Sequence, residues 1–261
     1  MAIIAFGHVT KTFETGYTAL QDVDLAIEAQ RFVALVGPSG CGKSTTLSLV
    51  AGLDQPTRGT VSVRGKLVDG ITDGTGFLFQ RDALLPWKSV RDNVALPLQL
   101  RGITGASART RVDEWIGRVG LRGFEASYPY QLSGGMRKRV ALAQTLVYDP
   151  EILLMDEPFS ALDVQTRNLM EGELLSLWQG SGKTVIFVTH DLEEAIALAD
   201  EVVVMTAGPG RVKARYDVTL PRPRDIEQVR FDPRFTELYS KMWNDLRDEV
   251  LESYARANAA G

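Results

Sequence analysis

The pattern of apolar and polar residues predicts an antiparallel sheet near the start of the chain. Residues 3–13 and 19–30 alternate apolar and polar positions, as strands with one exposed face do. Residues 59–68 predict a further hairpin. We therefore expect an N-terminal antiparallel β subdomain.

Later strands are marked by continuous apolar runs, which are typical of strands buried on both faces. These runs are FVALVG at 32–37, EILLMDEP at 151–158 and TVIFVTH at 184–190. A further strand is predicted at 201–208, and helices are predicted at 43–53, 164–180 and 191–200. Strands that alternate with helices predict a parallel sheet wrapped by helices.

Two parts of the chain lie outside this alternation. The pattern of residues from about 90 to 150 is helical, with a clear amphipathic segment at 108–121, and predicts a helical subdomain inserted into the α/β core. LPRPRD at 220–225 interrupts regular structure. We therefore expect one domain over 1–220 and a C-terminal helical extension over 221–261 that packs on it.

The C-terminal extension is predicted to contain one amphipathic helix. Asp232 suits the cap and Pro233 the first turn. Apolar residues then recur at three-four spacing, which describes a stripe that packs on a neighbouring element. The stripe consists of Phe235, Leu238, Tyr239, Met242, Trp243 and Leu246.

Composition narrows the class of protein. The 261 residues are 44% hydrophobic and 24% charged, which is ordinary for a globular chain, and the net charge of −4 does not favour a nucleic-acid surface. The single cysteine, Cys41, cannot form an internal disulfide, so a reducing compartment is expected. No signal peptide and no apolar window long enough for a bilayer is found. We expect a soluble protein whose role at a membrane, if it has one, depends on a partner.

The segment GPSGCGKS at 37–44 matches the pattern of a phosphate-binding loop and lies between a buried strand and a helix. Its glycines let backbone N–H groups converge on phosphate oxygens, and the helix N-terminus adds a partial positive charge. Lys43 is placed to reach the β- and γ-phosphates, and the Ser44 hydroxyl to bind Mg²⁺. A glycine-rich structural turn is the alternative.

Carboxylates follow the next buried strand. Asp156 comes at the end of the apolar run, where it can hold Mg²⁺ through water, and Glu157 is adjacent. Neighbouring residues at a strand end point in different directions. One carboxylate can therefore serve the metal while the other faces the attacking water.

A second anion-binding segment occurs at 132–136, LSGGM, where serine and glycine open a helix. Together with the loop at 37–44, the run at 152–158, SALD at 160–163 and VTHD at 188–191, it resembles the ATP-binding cassette (ABC) ATPases that power membrane transporters. The resemblance covers about residues 3 to 220. It implies an α/β fold, a P-loop NTPase cassette with a mixed, largely parallel sheet as its core, an antiparallel β subdomain and an inserted helical subdomain.

The resemblance also implies how ATP is bound. In this family two cassettes pair head to tail, and each ATP lies between the phosphate loop of one chain and the signature segment, here 132–136, of the other. Ser133, Gly134 and Gly135 would then contact the ATP held by a partner's Lys43. The implied ATP-binding residues of the phosphate loop are Gly37, Pro38, Ser39, Gly40, Cys41, Gly42, Lys43, Ser44 and Thr45.

Further roles follow from matching positions. Phe13 matches the aromatic that stacks on adenine, with Tyr17 as the other candidate. Gln80 matches a glutamine that contacts ATP, Mg²⁺ and water, so Ser44, Gln80 and Asp156 form the implied metal site. Glu157 would polarise the attacking water, and His190 matches the switch histidine that senses the γ-phosphate.

The segment 78–98 resembles the nitrate/sulfonate/taurine importer branch, where Leu-Pro-Trp follows the glutamine. Leu84, Leu85, Pro86 and Trp87 would line the groove for a transmembrane partner; a turn packed on the helical subdomain is the alternative. The branch usually has Met-Arg-Gln-Arg where this chain has Met-Arg-Lys-Arg. We expect Lys138 to be a surface change and the run 137–139 to form a solvated helix face.

The implied function is that of the ATP-hydrolysing subunit of a bacterial-type ABC importer. ATP binding would close a cassette dimer, and hydrolysis would reopen it to drive a polytopic permease. The permease would in turn receive substrate from a periplasmic or extracellular binding protein. The subunit would lie at the cytoplasmic face of the inner membrane and bind no nucleic acid.

The residues are also compatible with two other functions. One is a soluble ABC ATPase that acts on nucleic acid or ribosomes, although such proteins usually carry two cassettes or a long coiled-coil insertion. The other is an unrelated P-loop enzyme, but the Asn-Lys-x-Asp motif of GTPases is absent from the sequence.

Overall fold

The computed structural model describes residues 2–259, with side chains up to residue 253. Its strands are β1 (Ala2–Thr12), β2 (Thr18–Glu28), β3 (Phe32–Val36), β4 (Arg58–Val63), β5 (Lys66–Leu67), β6 (Thr75–Leu78), β7 (Ile152–Asp156), β8 (Thr184–Val188), β9 (Glu201–Met205) and β10 (Val212–Asp217). Its helices are α1 (Lys43–Ala51), α2 (Val90–Leu100), α3 (Ala106–Arg118), α4 (Gly134–Leu146), α5 (Val164–Trp178), α6 (Leu192–Leu198) and α7 (Pro233–Ala259).

The strands form two sheets. The first is antiparallel with the order β2-β1-β4-β5. The second has the order β10-β9-β3-β8-β7-β6, and all its neighbours are parallel except β10 against β9. Every residue of β3, β8 and β9 is buried, which is why their sequences are apolar without alternation.

Helix α1 lies between the two sheets. One apolar cluster joins Ile4 and Phe6 of β1, Leu47 of α1, and Val33 and Leu35 of β3. A second cluster lies on the other face of the larger sheet and is built with side chains from α2 to α7. The loop between β3 and α1 is thereby fixed at both of its ends by buried residues.

Two strands have no counterpart among the predicted elements. Strand β6 has four residues, one of them Gly76, and is held by parallel pairing to β7. Strand β10 alternates half-buried and exposed residues, as an edge strand does. Strand β6 is too short, and β10 too polar, for apolar periodicity to reveal them. Each is ordered by pairing with its neighbouring strand.

The region from residue 90 to 146 contains α2, α3 and α4, which pack on one another. Helix α7 packs on α6, β9 and β10 through the buried residues Phe235, Met242 and Leu246. Trp243 departs from the expected stripe, since it is 44% exposed and stacks on Tyr239. The predicted extension to residue 261 runs beyond the described residues.

Among the described residues, none of the helices combines the length and apolar character that a bilayer crossing requires.

A buried charged cluster connects α5 and α6 to the segment before α7. Glu171 of α5 is fully buried, and its Oε2 lies 3.6 Å from Nη2 of Arg230. Neither carboxyl oxygen accepts a hydrogen bond from a described residue. Burial, with the nearby charge of Glu194, raises the pKa of Glu171 to about 8, against the opposing effect of Arg230.

Replacing Glu171 with Gln is expected to flatten the pH dependence of stability. Because the pKa of Glu171 rises from 4.5 to about 8 on folding, the folded state binds more protons than the unfolded state between these values. Glu171 therefore lowers the free energy of unfolding as the pH rises through this range, and Glu171→Gln removes that contribution. Thermal unfolding at a series of pH values measures the difference.

Glu237→Gln is the matched control, because Glu237 is exposed and its pKa is lowered by Lys241. Its titration falls below this pH range, so its profile should follow that of the wild type. If Tm fell equally in the wild type and in Glu171→Gln between pH 4.5 and about 8, the raised pKa of Glu171 would be contradicted.

Candidate functional site

The loop after β3 curls around the ammonium group of Lys43. Its Nζ donates hydrogen bonds to the carbonyl oxygens of Gly37, at 2.7 Å, and Pro38, at 3.1 Å. Gly42 precedes α1 with φ of 88°, in the left-handed region, and a Cβ there would lie 2.4 Å from Leu20 Cδ2. The loop therefore needs glycine at this position for both conformation and space.

Exposure differs along this loop. Ser39, Gly40 and Ser44 are exposed, Thr45 is half-buried and the Cys41 side chain is fully buried in the core. Burial raises the pKa of the Cys41 thiol, although the nearby charge of Lys43 acts in the opposite direction. The Cys41 side chain thus fills the core behind the loop, and the thiol is not presented to a ligand.

The end of β7 meets the start of α1. The Ser44 hydroxyl donates a hydrogen bond of 3.0 Å to Asp156 Oδ1. Burial, and then the charge of Glu157, raise the pKa of Asp156, while the Ser44 hydrogen bond and Lys43 oppose the rise. Hydroxyl and carboxylate oxygens are ligands that suit Mg²⁺, so the Ser44–Asp156 pair fits this ion.

Glu157 has a backbone conformation that a residue with a side chain adopts rarely. Its φ is 43°, in the left-handed region, and its N–H donates to the carbonyl oxygen of Val188 in β8 at 2.9 Å. The backbone therefore leaves the strand conformation between Asp156, the last residue of β7, and Glu157. The two adjacent carboxylates have different partners, since Asp156 accepts from Ser44 and Glu157 lies beside Gln80 and His190.

Side chains from two other loops converge on one carboxylate oxygen of Glu157. Glu157 Oε2 lies 3.3 Å from Gln80 Nε2 and 3.3 Å from His190 Nδ1. The Glu157 side chain is 21% exposed and the His190 side chain 63% exposed, so solvent reaches the cluster from the His190 side. A water molecule bound here would face a carboxylate that two neighbouring side chains orient.

Phe13 and Tyr17 lie together beside the loop. Their rings are nearly parallel, with centroids 6.5 Å apart, and both are substantially exposed. The Tyr17 hydroxyl donates to the Gly40 carbonyl oxygen at 2.6 Å, and Lys11 Nζ lies 5.2 Å from the Phe13 ring centroid. Both candidates for the adenine contact are therefore held near the phosphate loop.

The signature segment forms a separate surface. Ser133 caps α4, accepting a hydrogen bond from the Met136 N–H at 3.3 Å, and Ser133 and Gly134 are exposed. Gly135 is buried, and a Cβ there would lie 2.8 Å from Thr166 Cγ2 of α5. No hydrogen bond or ion pair between described residues joins 133–135 to the loop at 37–45.

The turn formed by residues 84–87 is held by Asn93, which is fully buried. The Asn93 side chain accepts from the Leu85 N–H at 2.8 Å, and the carbonyl oxygens of Leu85, Lys88 and Ser89, all within 3.2 Å of Nδ2, share its two N–H groups. Leu84 packs on the core and Leu85 is half-buried, whereas Pro86 is exposed. Trp87 is 71% exposed, so the turn presents an aromatic ring to solvent on a fixed backbone.

The expectation that residues 137–139 form a solvated helix face is wrong for Lys138. Lys138 is only 5% exposed, and its Nζ donates to the Gln80 carbonyl oxygen at 2.6 Å. Lys138 precedes the buried residues Ala141 and Leu142 by three and four positions. That spacing places it on the buried face of α4, a signal that the basic character of the run concealed.

The same signal identifies Asn93, which belongs to none of the sequence motifs. Asn93 follows the buried Val90 by three positions, at the edge of the apolar face that Val90, Val94 and Leu98 form. A polar residue on such a face requires hydrogen-bond partners, and here the partners are the backbone groups of the preceding turn.

Helix α7 reaches the phosphate loop. A cavity of about 440 Å³ has Ser39 and His190 on one side and Leu246, Val250 and Ser253 of α7 on the other. The sequence predicted that α7 packs on the cassette, but it gave no indication that this helix forms one wall of the space beside His190.

Comparisons with known proteins agree with these features. The family model described as ABC transporter matches residues 20–160. An uncharacterized ABC transporter ATP-binding protein of Methanocaldococcus jannaschii is 49% identical over 94% of this chain and 92% of its own length. The taurine import ATP-binding protein TauB of Escherichia coli is 42% identical over 84% of this chain and 88% of its own length.

Solved structures are similar as well. A dimeric ATP-binding cassette in a post-hydrolysis state, bound to ADP and phosphate, superposes with a TM-score of 0.74 and 33% identity. The similarity covers 84% of this chain and all of that cassette. A dimeric structure described as a bacterial ABC transporter cassette gives the same TM-score at 34% identity.

Proposed function

This chain belongs to the ABC transporter family, whose cassettes hydrolyse ATP, and from this we propose that it is the nucleotide-binding subunit of an importer of the nitrate/sulfonate/taurine branch. The observation that carries the proposal is the convergence of Gln80 and His190 on Glu157, one residue from the Ser44–Asp156 pair. The identity to a taurine import ATP-binding protein supports the importer role.

The phosphate loop would bind the triphosphate through its backbone N–H groups and Lys43. The Lys43 ammonium would exchange its two carbonyl partners for phosphate oxygens, which carry the stronger charge. Phe13 and Tyr17 would contact adenine, since both rings are exposed beside the loop. Cys41 would contribute its place in the loop backbone and leave its thiol in the core.

Residues around Asp156 would hold Mg²⁺. Ser44 and Asp156 supply adjacent oxygens, and Gln80 is the third candidate ligand. The bound ion would neutralise charge on the transferring phosphoryl group.

Glu157 would act on the attacking water. The carboxylate would accept a hydrogen bond from the water and orient it, while Gln80 and His190 restrict the carboxylate's position. His190, whose side chain is 63% exposed, would also contact the γ-phosphate. No covalent intermediate is needed, because positioning and charge neutralisation account for phosphoryl transfer.

Replacing Glu157 with Gln should abolish turnover and preserve ATP binding. The amide keeps the shape of the side chain but cannot accept the water's proton, while Lys43 and the loop amides are unchanged. Steady-state phosphate release measures turnover, and size-exclusion chromatography with ATP should show the variant accumulating as an ATP-bound dimer. Wild-type turnover in Glu157→Gln would assign the base role to another residue.

We also propose that the ATP site is composite. Ser133 and Gly134 present an exposed helix N-terminus, and among the described residues no hydrogen bond or ion pair joins it to the phosphate loop of its own chain. A second cassette arranged head to tail would bring this terminus to the γ-phosphate, where a partial positive charge is favourable. The solved cassettes similar to this chain are described as dimeric, which supports such pairing.

A mixture of two inactive variants tests this pairing. Lys43→Ala damages the phosphate loop and Ser133→Arg damages the signature segment, so each homodimer should be inactive. A mixed dimer contains one site with both damaged halves and one site with both halves intact. Phosphate release should therefore reappear on mixing, at no more than about a quarter of the wild-type rate if chains pair at random.

Differently tagged chains confirm that mixed dimers have formed. If both tags co-purify and phosphate release remains at zero, the composite site is refuted. The permease should be present where possible, because it holds the two cassettes together.

The turn at 84–87 would bind the transmembrane permease. Trp87 and Phe79 are both exposed large apolar residues close to Gln80 in the sequence, so the partner's contact would adjoin the hydrolytic site. ATP binding would close the dimer and hydrolysis would reopen it, moving the permease at the cytoplasmic face of the membrane. The permease and its external binding protein, and not this chain, would contact the transported substrate.

Replacing Trp87 with Ala should weaken the complex with the permease. An exposed aromatic anchor that becomes buried at an interface typically contributes about 2 kcal/mol or more, so recovery of the permease with a tagged cassette should fall severalfold. Trp243→Ala is the control, because Trp243 is a partly exposed tryptophan on α7. Equal recovery with both variants would remove the turn from the interface.

A further inference from the structure

Lys138 joins the helix of the signature segment to the loop that carries Gln80. It lies on α4, five positions after Ser133, and its Nζ is buried. Nζ donates to the Gln80 carbonyl oxygen at 2.6 Å and lies 3.5 Å from the carbonyl oxygen of Phe79. A buried ammonium group requires such partners, because an unpaired charge away from water is strongly unfavourable.

Asp82 completes the attachment. Lys138 Nζ lies 3.1 Å from Asp82 Oδ1, and Arg137 Nε donates to Asp82 Oδ2 at 3.3 Å. Two consecutive cations of α4 therefore bracket one carboxylate of the Gln80 loop. The attachment is ionic as well as hydrogen-bonded, and it fixes the segment 79–82 against α4.

The attached segment leads directly to the hydrolytic site. Lys138 holds the backbone of Gln80, and the Gln80 side chain places Nε2 3.3 Å from Glu157 Oε2. At the other end, Ser133 lies about 7.5 Å along the helix axis from Lys138, at about 1.5 Å per residue. One rigid turn and a half of helix thus separates the signature segment from the support of Gln80.

We propose that Lys138 is a positioning residue for Gln80 that links the signature segment to Glu157 within one chain. A displacement of α4 when Ser133 and Gly134 engage a nucleotide would move Lys138 with it, and so would move the Gln80 carbonyl. Lys138 thereby sets whether Gln80 reaches Glu157 in productive geometry. The proposal rests on the proposed roles of Gln80 and Glu157. The kcat of Gln80→Ala distinguishes a failure of those roles from a failure of the link through Lys138.

The test compares Lys138→Met, Lys138→Arg and Gln80→Ala, with Lys241→Met as the matched control. Lys241 is an exposed lysine on α7 that pairs with Glu237, so its replacement makes the same chemical change at a remote site. Methionine keeps the length of the buried stem but removes every proton donor. Arginine keeps the charge and can donate to both the Gln80 carbonyl oxygen and Asp82.

We expect Lys138→Met to lower kcat about tenfold, as loss of an outer support does, while KM and the affinity for a fluorescent ATP analogue stay within about twofold. Lys138→Arg should recover most of kcat. The double variant Gln80→Ala/Lys138→Met should be no slower than Gln80→Ala alone, because Lys138 acts through Gln80. If Lys138 only stabilised the fold, Lys138→Met would lower Tm but would not lower kcat at an unchanged KM.

Two results overturn the proposal. One is a wild-type kcat in Lys138→Met when Gln80→Ala is slow; the other is a double variant in which the two losses multiply. If Gln80→Ala itself has the wild-type kcat, the proposed role of Gln80 fails first and the link fails with it. Should Lys138→Met not fold, Lys138→Leu is measured against the same criteria, since leucine is a smaller apolar residue that also lacks every proton donor.

Discussion

The parallel pairing of β3, β8, β7 and β6 is the constraint on which the rest of the site depends. These strands are neighbours in one sheet, and parallel strands bring their carboxyl ends to the same edge. The phosphate loop follows β3, His190 follows β8, Glu157 follows β7 and Gln80 follows β6. Residues more than a hundred positions apart therefore meet within hydrogen-bonding distance because backbone ladders fix where each loop begins.

Strong local patterns explain how much of this could be predicted. The family and the fold class are confirmed, because buried strands such as β3 have continuous apolar sequences and the phosphate loop has fixed spacing. The roles assigned to Glu157, His190 and the signature segment stay predictions, although the structure brings the first two together.

Features that depend on partners distant in sequence could not be predicted. Strand β6 is ordered by β7, and the Cys41 thiol points into the core because the loop turns around Lys43. The sequence predicts an exposed Lys138 because basic residues in a run are usually exposed. Its burial depends on carbonyl oxygens of a loop about 60 residues earlier, at Phe79 and Gln80.

The Asn93 side chain has a consequence for the thermodynamics of any contact made by the turn at 84–87. A flexible loop loses conformational entropy when a partner orders it, at a cost of about 1–2 kcal/mol for each residue whose backbone is fixed. The hydrogen bonds of Asn93 to this turn impose that ordering when the chain folds. Association through Trp87 would then lose little free energy to ordering of the backbone, and in this respect the turn would bind as a rigid surface does.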